Sequence, residues 1–404
     1  MMKAAIMGYG TIGSGVFEML LENREQVAKK AGEPIEVKYV LDLREFPGTP
    51  AEGKTVQDIA VIEEDPEISI VVETMGGTTP AYDFVKRCLM KGKHVVTSNK
   101  ALVAAHGTEL LKLAEEKQVN FLFEASVGGG IPIIRTLNDS LAGEDILEIS
   151  GIMNGTTNYV LSKMYEEGWT FEAALEKARE LGYAERDPRS DVEGYDTCRK
   201  IAILTAVAAG KEVCYEDVPT RGITDITDLD FSYAARLGMS IKLLGISRKQ
   251  NGNIYAEVAP VMIGPQNPLY SVSGVYNGIM VTGNMLGVSM FYGSGAGKLP
   301  TASAVVADMI QAALHGNGNR MPGWTEEKQE ILPADLLERH YFARFEGNRR
   351  DKKELVEEAF GSVKWISLEG LDEFAILTGK MSGPQFREAA GLLGGLRQSI
   401  TAEL

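Results

Sequence analysis

Five carboxylates, Glu185, Asp187, Asp191, Glu193 and Asp196, crowd the eighteen residues from Tyr183 to Lys200. Pro188 and Gly194 predict a loop for the first part, because proline cannot continue a helix and glycine frees the backbone. From Tyr195 the pattern turns into an apolar-rich helix, CRKIAILTAVAAG, that stops at Gly210. Asp196 and Lys200 are four residues apart at its start, so they share one helix face. A lysine beside a carboxylate, under an acidic loop, can hold an ammonium-bearing substrate and move a proton. The plain alternative is an exposed ion pair, which contributes about 0–1 kcal/mol and does no chemistry.

The next candidates lie at the start of the chain. Residues 3–13, KAAIMGYGTIG, read as an apolar strand running into Gly8-x-Gly10-x-x-Gly13, and a helical pattern follows. Strand before and helix after are the context that a dinucleotide fingerprint needs. Gly8 permits the tight turn, Gly10 the approach of backbone to a pyrophosphate, and Gly13 close packing of helix on strand. The helix N-terminus then offers its N–H groups to phosphate. The second strand, IEVKYVLD, ends at Asp42, placed for an adenosine ribose, although its distance from Gly13 exceeds the usual separation of about 20 residues. Arg44 follows and suits a 2′-phosphate, so NAD and NADP both remain open.

Two further strands end in polar residues. ISIVVETMGG carries Thr74 past its end, and HVVTSNK carries Ser98 and Lys100. Ligands of open parallel sheets bind beyond the carboxyl ends of strands, so these three are well placed to touch cofactor or substrate, while Lys100 can equally be a solvated loop charge. A glycine loop at 293–300, with Gly295 and Gly297, precedes the helix TASAVVADMIQAALHG and predicts a return to the first domain. In FLFEASVGGGIPII, Glu124 closes a strand before Gly128–Gly130. That loop is either a hard-cation site with Glu124 supplying charge or a plain crossover. In EISGIMNGTTNYVL, the helix start at Asn154, Gly155 and Thr156 suits a substrate carboxylate or is simply capped by Asn154 or Thr156. Tyr183 opens the acidic stretch and joins the substrate-binding candidates.

The whole-chain numbers restrict the function class. The 404 residues are 44% hydrophobic and 24% charged, which fits a soluble globular chain of two or three domains. A formal charge of -15 opposes a nucleic-acid or anionic-membrane surface. Cys88, Cys198 and Cys214 show no CxxC pairing, and with four scattered histidines they build neither a disulfide framework nor a zinc site. No signal peptide or membrane span is read, so a cytoplasmic enzyme or binding protein is expected. Residues 214–296 read mostly as strands and loops, and a linker is expected at Asn317–Thr325. Beyond it the order βαββαβ describes a ferredoxin-like module suited to regulation or oligomer contact.

Taken together, GYGTIG, VVTSNKALVA, EASVGGGIPII, MNGTTNYVL, AERDPRSDVEGYDTCRKIAIL and GAGKLPTASAVVAD resemble the homoserine dehydrogenase family, over residues 3 to about 315. Six motifs in the right order are far more specific than one. The resemblance implies interconversion of L-aspartate 4-semialdehyde and L-homoserine with NAD or NADP, a shared step toward threonine and methionine. It implies Lys200 as the acid/base residue, with Lys100 also lining the site and Glu185, Asp191 and Asp196 binding or ordering substrate. Gly8, Tyr9, Gly10, Thr11, Ile12 and Gly13 would meet the cofactor. Glu124, Val127, Gly129 and Ile131 would hold a monovalent cation, sodium or potassium.

The expected fold is α/β: a Rossmann-type dinucleotide-binding domain at 1–132 completed by 296–316, an α+β substrate and oligomerisation domain at 133–295, and a module at 326–404 that looks like an ACT domain. A homodimer or homotetramer is implied by the resemblance alone. FEGNRRDKKELVEEAFG departs from the ACT pattern, since it lacks the D-x-x-G-V-L turn that binds an amino acid. The competing readings are another NAD(P)-dependent amino-acid-pathway dehydrogenase, which should lack the paired NGTTN and DVEGxDxxxK stretches, and a non-catalytic NAD(P)-sensing regulator.

Overall fold

Strand β1 (Met2–Met7) is apolar without alternation because both its faces are covered, and Ala4, Ala5, Ile6 and Met7 are all buried. It sits at the centre of a parallel sheet with β2 (Ile35–Leu41), β3 (Thr55–Val56), β4 (Ile68–Glu73), β5 (His94–Thr97) and β6 (Phe121–Leu122), in the order β3-β2-β1-β4-β5-β6. Parallel neighbours need crossovers, and these are supplied by α1 (Thr11–Glu22), α2 (Arg24–Ala31), α3 (Ala60–Glu63), α4 (Ala81–Met90) and α5 (Lys100–Lys117). The strand order reverses at β1, which is the switch point of a doubly wound sheet. This computed structural model describes residues 1–315 and 323–404.

By compactness the chain divides into two units. The first comprises Met1–Leu147, Arg199–Asp217 and Val281–Glu330, and the second Glu148–Cys198, Val218–Met280 and Ile331–Leu404. The chain leaves the parallel sheet through β7 (Ile146–Ile152), then forms α6 (Gly155–Glu167), α7 (Phe171–Glu180), the single turn α8 (Arg189–Val192) and α9 (Tyr195–Ala209). The acidic stretch expected as a loop therefore contains one helical turn, bounded by Pro188 before it and Gly194 after it. Next come β8 (Lys211–Glu212), α10 (Asp228–Leu237), β9 (Ser240–Gln250), β10 (Asn253–Ile263), β11 (Tyr276–Gly283) and β12 (Gly287–Ser294). Helix α11 (Lys298–Leu314) belongs to the first unit and packs on α1, where a Cβ on Gly15 would lie 2.9 Å from Lys298 and 3.3 Å from Ala302.

The expected linker at Asn317–Thr325 lies mostly outside the described residues; Thr325 itself opens β13 (Thr325–Lys328), which pairs with β8. After β14 (Ile331–Pro333), the C-terminal segment runs β15 (His340–Glu346), α12 (Arg349–Phe360), β16 (Lys364–Ile366), β17 (Glu373–Leu377), α13 (Gly383–Leu393) and β18 (Leu396–Glu403). Its strands lie in the order β18-β15-β17-β16 over a core of Phe345, Phe360, Phe374, Ile376 and Phe386. This segment does not stand apart. β18 pairs in parallel with β10, Val261 opposite Thr401, so it extends the sheet of β9 and β10 within the second unit. Covering an open strand edge removes a row of unpaired backbone groups, and the Arg339–Glu257 and Arg248–Glu403 ion pairs reinforce the join. Among the described residues, no helix is long and apolar enough to cross a membrane.

Candidate active site

In the first unit the turn after β1 is shaped by contacts no side chain could survive. Gly8 has φ +90°, and a Cβ on Gly13 would lie 2.0 Å from the Gly8 carbonyl oxygen. Gly13 therefore lets α1 start directly against the turn. Gly10 is the residue before α1, no side chain caps that helix end, and nothing lies within 4 Å of where its Cβ would be. Thr11 and Ile12 form the first helical positions. An uncapped helix start with open space before it fits a pyrophosphate.

The carboxyl ends of β1, β2 and β4 border a groove of about 350 Å³ lined by Gly8, Gly10, Asp42, Arg44, Thr74 and Met75 among others. Asp42 accepts the Tyr9 N–H at 3.0 Å and pairs with Arg44 at 3.0 Å. The Arg44 guanidinium is the main reason its carboxyl is held down to about 2. Arg44 also lies 5.1 Å over the Phe46 ring, which Tyr9 contacts in turn. An adenosine end bound in this groove would meet an acid and a base already bonded to each other. Thr74 borders the groove, but its hydroxyl donates to the Gly8 carbonyl at 2.8 Å and so braces the glycine turn.

Ser98 follows β5, and its N–H donates to the Glu73 carbonyl at 3.3 Å. Lys100 is the first residue of α5, half-buried, just after Asn99, which caps that helix by accepting the Leu102 N–H at 3.1 Å. Sequence reasoning missed Glu73, which is fully buried with Thr97 donating to it at 2.5 Å. The signal was a glutamate in an otherwise apolar strand, since a buried charge is kept only where donors surround it.

The Glu124 loop differs from expectation. β6 ends at Leu122, and the Glu124 carboxylate accepts the N–H groups of Ile133 (2.7 Å), Ile134 (2.9 Å) and Arg135 (2.6 Å). Burial pushes its pKa up, and those backbone donors oppose the rise. That carboxylate is taken up by three backbone N–H groups, so a cation held at Glu124, Val127, Gly129 and Ile131 would draw its oxygens from main-chain carbonyls. Asp308 of α11 accepts the Glu124 N–H at 2.9 Å and pairs with Arg135. Burial pushes Asp308 up to about 7. Gly129 packs backbone to backbone: its Cβ would fall 2.5 Å from the Gly295 carbonyl, while Gly297, at φ +120°, precedes α11. No group of three or more His, Cys, Asp or Glu among the described residues is arranged to hold a metal ion.

In the second unit the acidic stretch is sorted by its partners. Asp187 pairs with Arg189 at the surface, and Glu185 is exposed. Asp191 and Asp196 instead converge on Asn154, whose Nδ2 donates to Asp191 at 2.7 Å and to Asp196 at 2.9 Å. The other end of that amide caps α6 by accepting the Thr157 N–H at 2.9 Å. Asn154 is therefore both cap and anchor. Gly155 and Thr156 begin the helix, and the Thr156 hydroxyl donates to the Tyr183 carbonyl at 2.5 Å rather than capping. The Tyr183 ring packs 5.2 Å from Tyr159. Helix α9 begins in the second unit and continues into the first at Arg199; along it Asp196 is 4% exposed and Lys200, one turn later, 8% exposed. Burial of both rules out the surface-pair reading, because a buried ion is kept only where partners repay its desolvation.

Residues 8–124 match the family described as homoserine dehydrogenase, NAD binding domain, and residues 132–310 match homoserine dehydrogenase. A homoserine dehydrogenase from Synechocystis sp. is 46% identical over 318 residues, covering 76% of this chain and 72% of that protein. The crystal structure of a homoserine dehydrogenase from Thiobacillus denitrificans superposes with a TM-score of 0.91 at 33% identity, covering 100% of this chain and 98% of that one. A hyperthermophilic archaeal homoserine dehydrogenase in complex with NADPH superposes with a TM-score of 0.66 at 28% identity, over 78% of this chain and 98% of that one.

Proposed function

The chain belongs to the homoserine dehydrogenase family, and from that premise we propose that it interconverts L-aspartate 4-semialdehyde and L-homoserine with NAD or NADP. The observation that carries the reading is the convergence of Asp191 and Asp196 on Asn154, with a buried lysine one turn along α9. In the reducing direction Lys200 Nζ gives a proton to the substrate oxygen as that oxygen gains negative charge; in the oxidising direction it takes the proton back. Asp196, one turn earlier on the same helix face, orients the Lys200 side chain. Lys100 shares the proton-handling role.

Glu185 and Asp191 bind the substrate's α-ammonium, which gives the acidity of that stretch a purpose. The N–H groups of Gly155 and Thr156, at the start of α6, receive its carboxylate beside Tyr183. Bound at the glycine turn, the nicotinamide cofactor supplies the hydride or accepts it. Asp42 would receive a ribose 2′-hydroxyl, and Arg44, released from Asp42, a 2′-phosphate. The archaeal relative's NADPH makes the second arrangement a real option for this fold.

We assign 1–132 with 296–316 to cofactor binding, 133–295 to substrate binding and oligomerisation, and 326–404 to an ACT-like module without an assigned effector. The carbonyls of Glu124, Val127, Gly129 and Ile131 are the proposed ligands for sodium or potassium. A cytoplasmic homodimer or homotetramer completes the proposal. Homoserine-dependent reduction of NAD⁺ and NADP⁺, assayed side by side, tests it. Turnover with either supports it. Nucleotide binding without turnover on homoserine would favour a sensor, and turnover on a different amino-acid carbonyl would favour another pathway dehydrogenase.

A further inference from the structure

Glu73 ends β4, is completely buried, and has no part in the mechanism above. Its carboxylate faces donors. The Met75 N–H lies at 2.8 Å and the Gly76 N–H at 3.4 Å from one oxygen, with Asn99 Nδ2 at 3.5 Å from the same atom, and the Thr97 hydroxyl lies at 2.5 Å from the other. The Thr97 oxygen already accepts the Asn99 N–H at 3.0 Å, so its own hydrogen is free to point at the carboxylate. Asn99 extends the network by donating to the Gly77 carbonyl at 2.6 Å and by capping α5. One side chain therefore ties the loop after β4 to the loop after β5. Burial raises its proton affinity, and these same donors oppose the rise.

The fold says what those two loops serve. A dinucleotide lies across the point where the strand order reverses. The turn after β1 takes the pyrophosphate and the end of β2 the adenosine ribose. The nicotinamide half is left with the ends of β4 and β5, where Glu73 sits. We propose that Glu73 is the positioning residue for the nicotinamide half of the site, and that its buried negative charge sets the relative affinity for oxidised and reduced cofactor. This rests on reading the groove as the NAD(P) site. The hydrogen-bond clamp serves both redox forms alike. The charge does not, because the nicotinamide ring is positive when oxidised and neutral when reduced, and a fixed anion attracts only the former.

The test is binding, not turnover. NADH affinity is read from its fluorescence on the unaltered protein and on Glu73→Gln, and NAD⁺ affinity from displacement of NADH. Glu73→Gln keeps the shape and loses the charge, and its melting curve checks the fold. The expected result is a rise of about tenfold in the ratio of the NAD⁺ to the NADH dissociation constant. Glu73→Asp, which keeps the charge on a shorter arm, should weaken both nucleotides while holding the ratio. Should the glutamine variant not fold, Glu73→Met, uncharged and of similar length, takes its place and should move the ratio the same way. An unchanged ratio in a folded charge-altering variant, with NADH still bound by the unaltered protein, overturns this proposal alone. Failure of the unaltered protein to bind NADH removes the cofactor reading and this proposal with it.

Discussion

Asn154 joins Asp196 through a single amide nitrogen, Nδ2 to Oδ2 at 2.9 Å, and the same nitrogen reaches Asp191 at 2.7 Å. Two carboxylates that share one amide nitrogen lie in one place, and a cation set beside them would interact with both. In the proposed mechanism that cation is the substrate's α-ammonium group.

Replacing Asn154 tests that arrangement. Asn154→Ala removes both the cap of α6 and the shared donor. A lost N-cap costs about 0.5–2 kcal/mol of stability. A lost hydrogen bond to a charged group costs about 1.5–3 kcal/mol, so the homoserine KM should rise roughly tenfold or more. Thermal melts and steady-state kinetics read the two effects separately. A destabilised variant with an unchanged KM would reduce Asn154 to a cap.

At the glycine turn, Gly13→Ala places a methyl group where the Gly8 carbonyl oxygen lies, 2.0 Å from the ideal Cβ position. Either α1 or the turn must move, and NADH affinity should fall by at least about tenfold with the circular dichroism spectrum largely retained. Unchanged NADH binding would place the pyrophosphate elsewhere.

Lys242 gives a pH dependence. Its ammonium is buried in β9, donates to the Val272 carbonyl at 2.6 Å, and is pushed down to about 8 by burial from an ordinary value near 10.5. Below pH 8 folded and unfolded chains both carry the charge, and folding bears the full burial cost. Between pH 8 and about 10.5 the folded chain has released a proton that the unfolded chain keeps, so this group's contribution to stability rises with pH, by about 3 kcal/mol in all. Urea midpoints from pH 7.5 to 9.5 should climb for the unaltered protein and climb less for Lys242→Met. Parallel curves would refute the burial argument.

Much of this was legible in the sequence because local rules and tertiary demands agreed. A strand, three spaced glycines and a helix admit few arrangements, and β1 with α1 forms as expected. The C-terminal order of strands and helices was readable for the same reason. The chemistry of single polar residues was less so. Thr74 points its hydroxyl at a carbonyl and Glu124 spends its carboxylate on three N–H groups, since buried donors and acceptors must be satisfied before any ligand is served. Spacing along a chain does not reveal that competition. Nor did it reveal that β18 pairs with β10, because the pairing joins residues far apart in sequence. Glu73 was visible as an acid ending an apolar strand, but its value lies in Thr97 and Asn99, which only the sheet brings near.

The proposed mechanism requires that the buried Lys200 of α9 moves the proton. The direct measurement is homoserine-dependent reduction of the nicotinamide cofactor by Lys200→Ala, with NADH binding measured on the same preparation. Turnover should drop by roughly a hundredfold to ten-thousandfold, the usual worth of a general acid/base, while NADH affinity stays within about threefold. Turnover close to that of the unaltered enzyme would contradict the role given to Lys200.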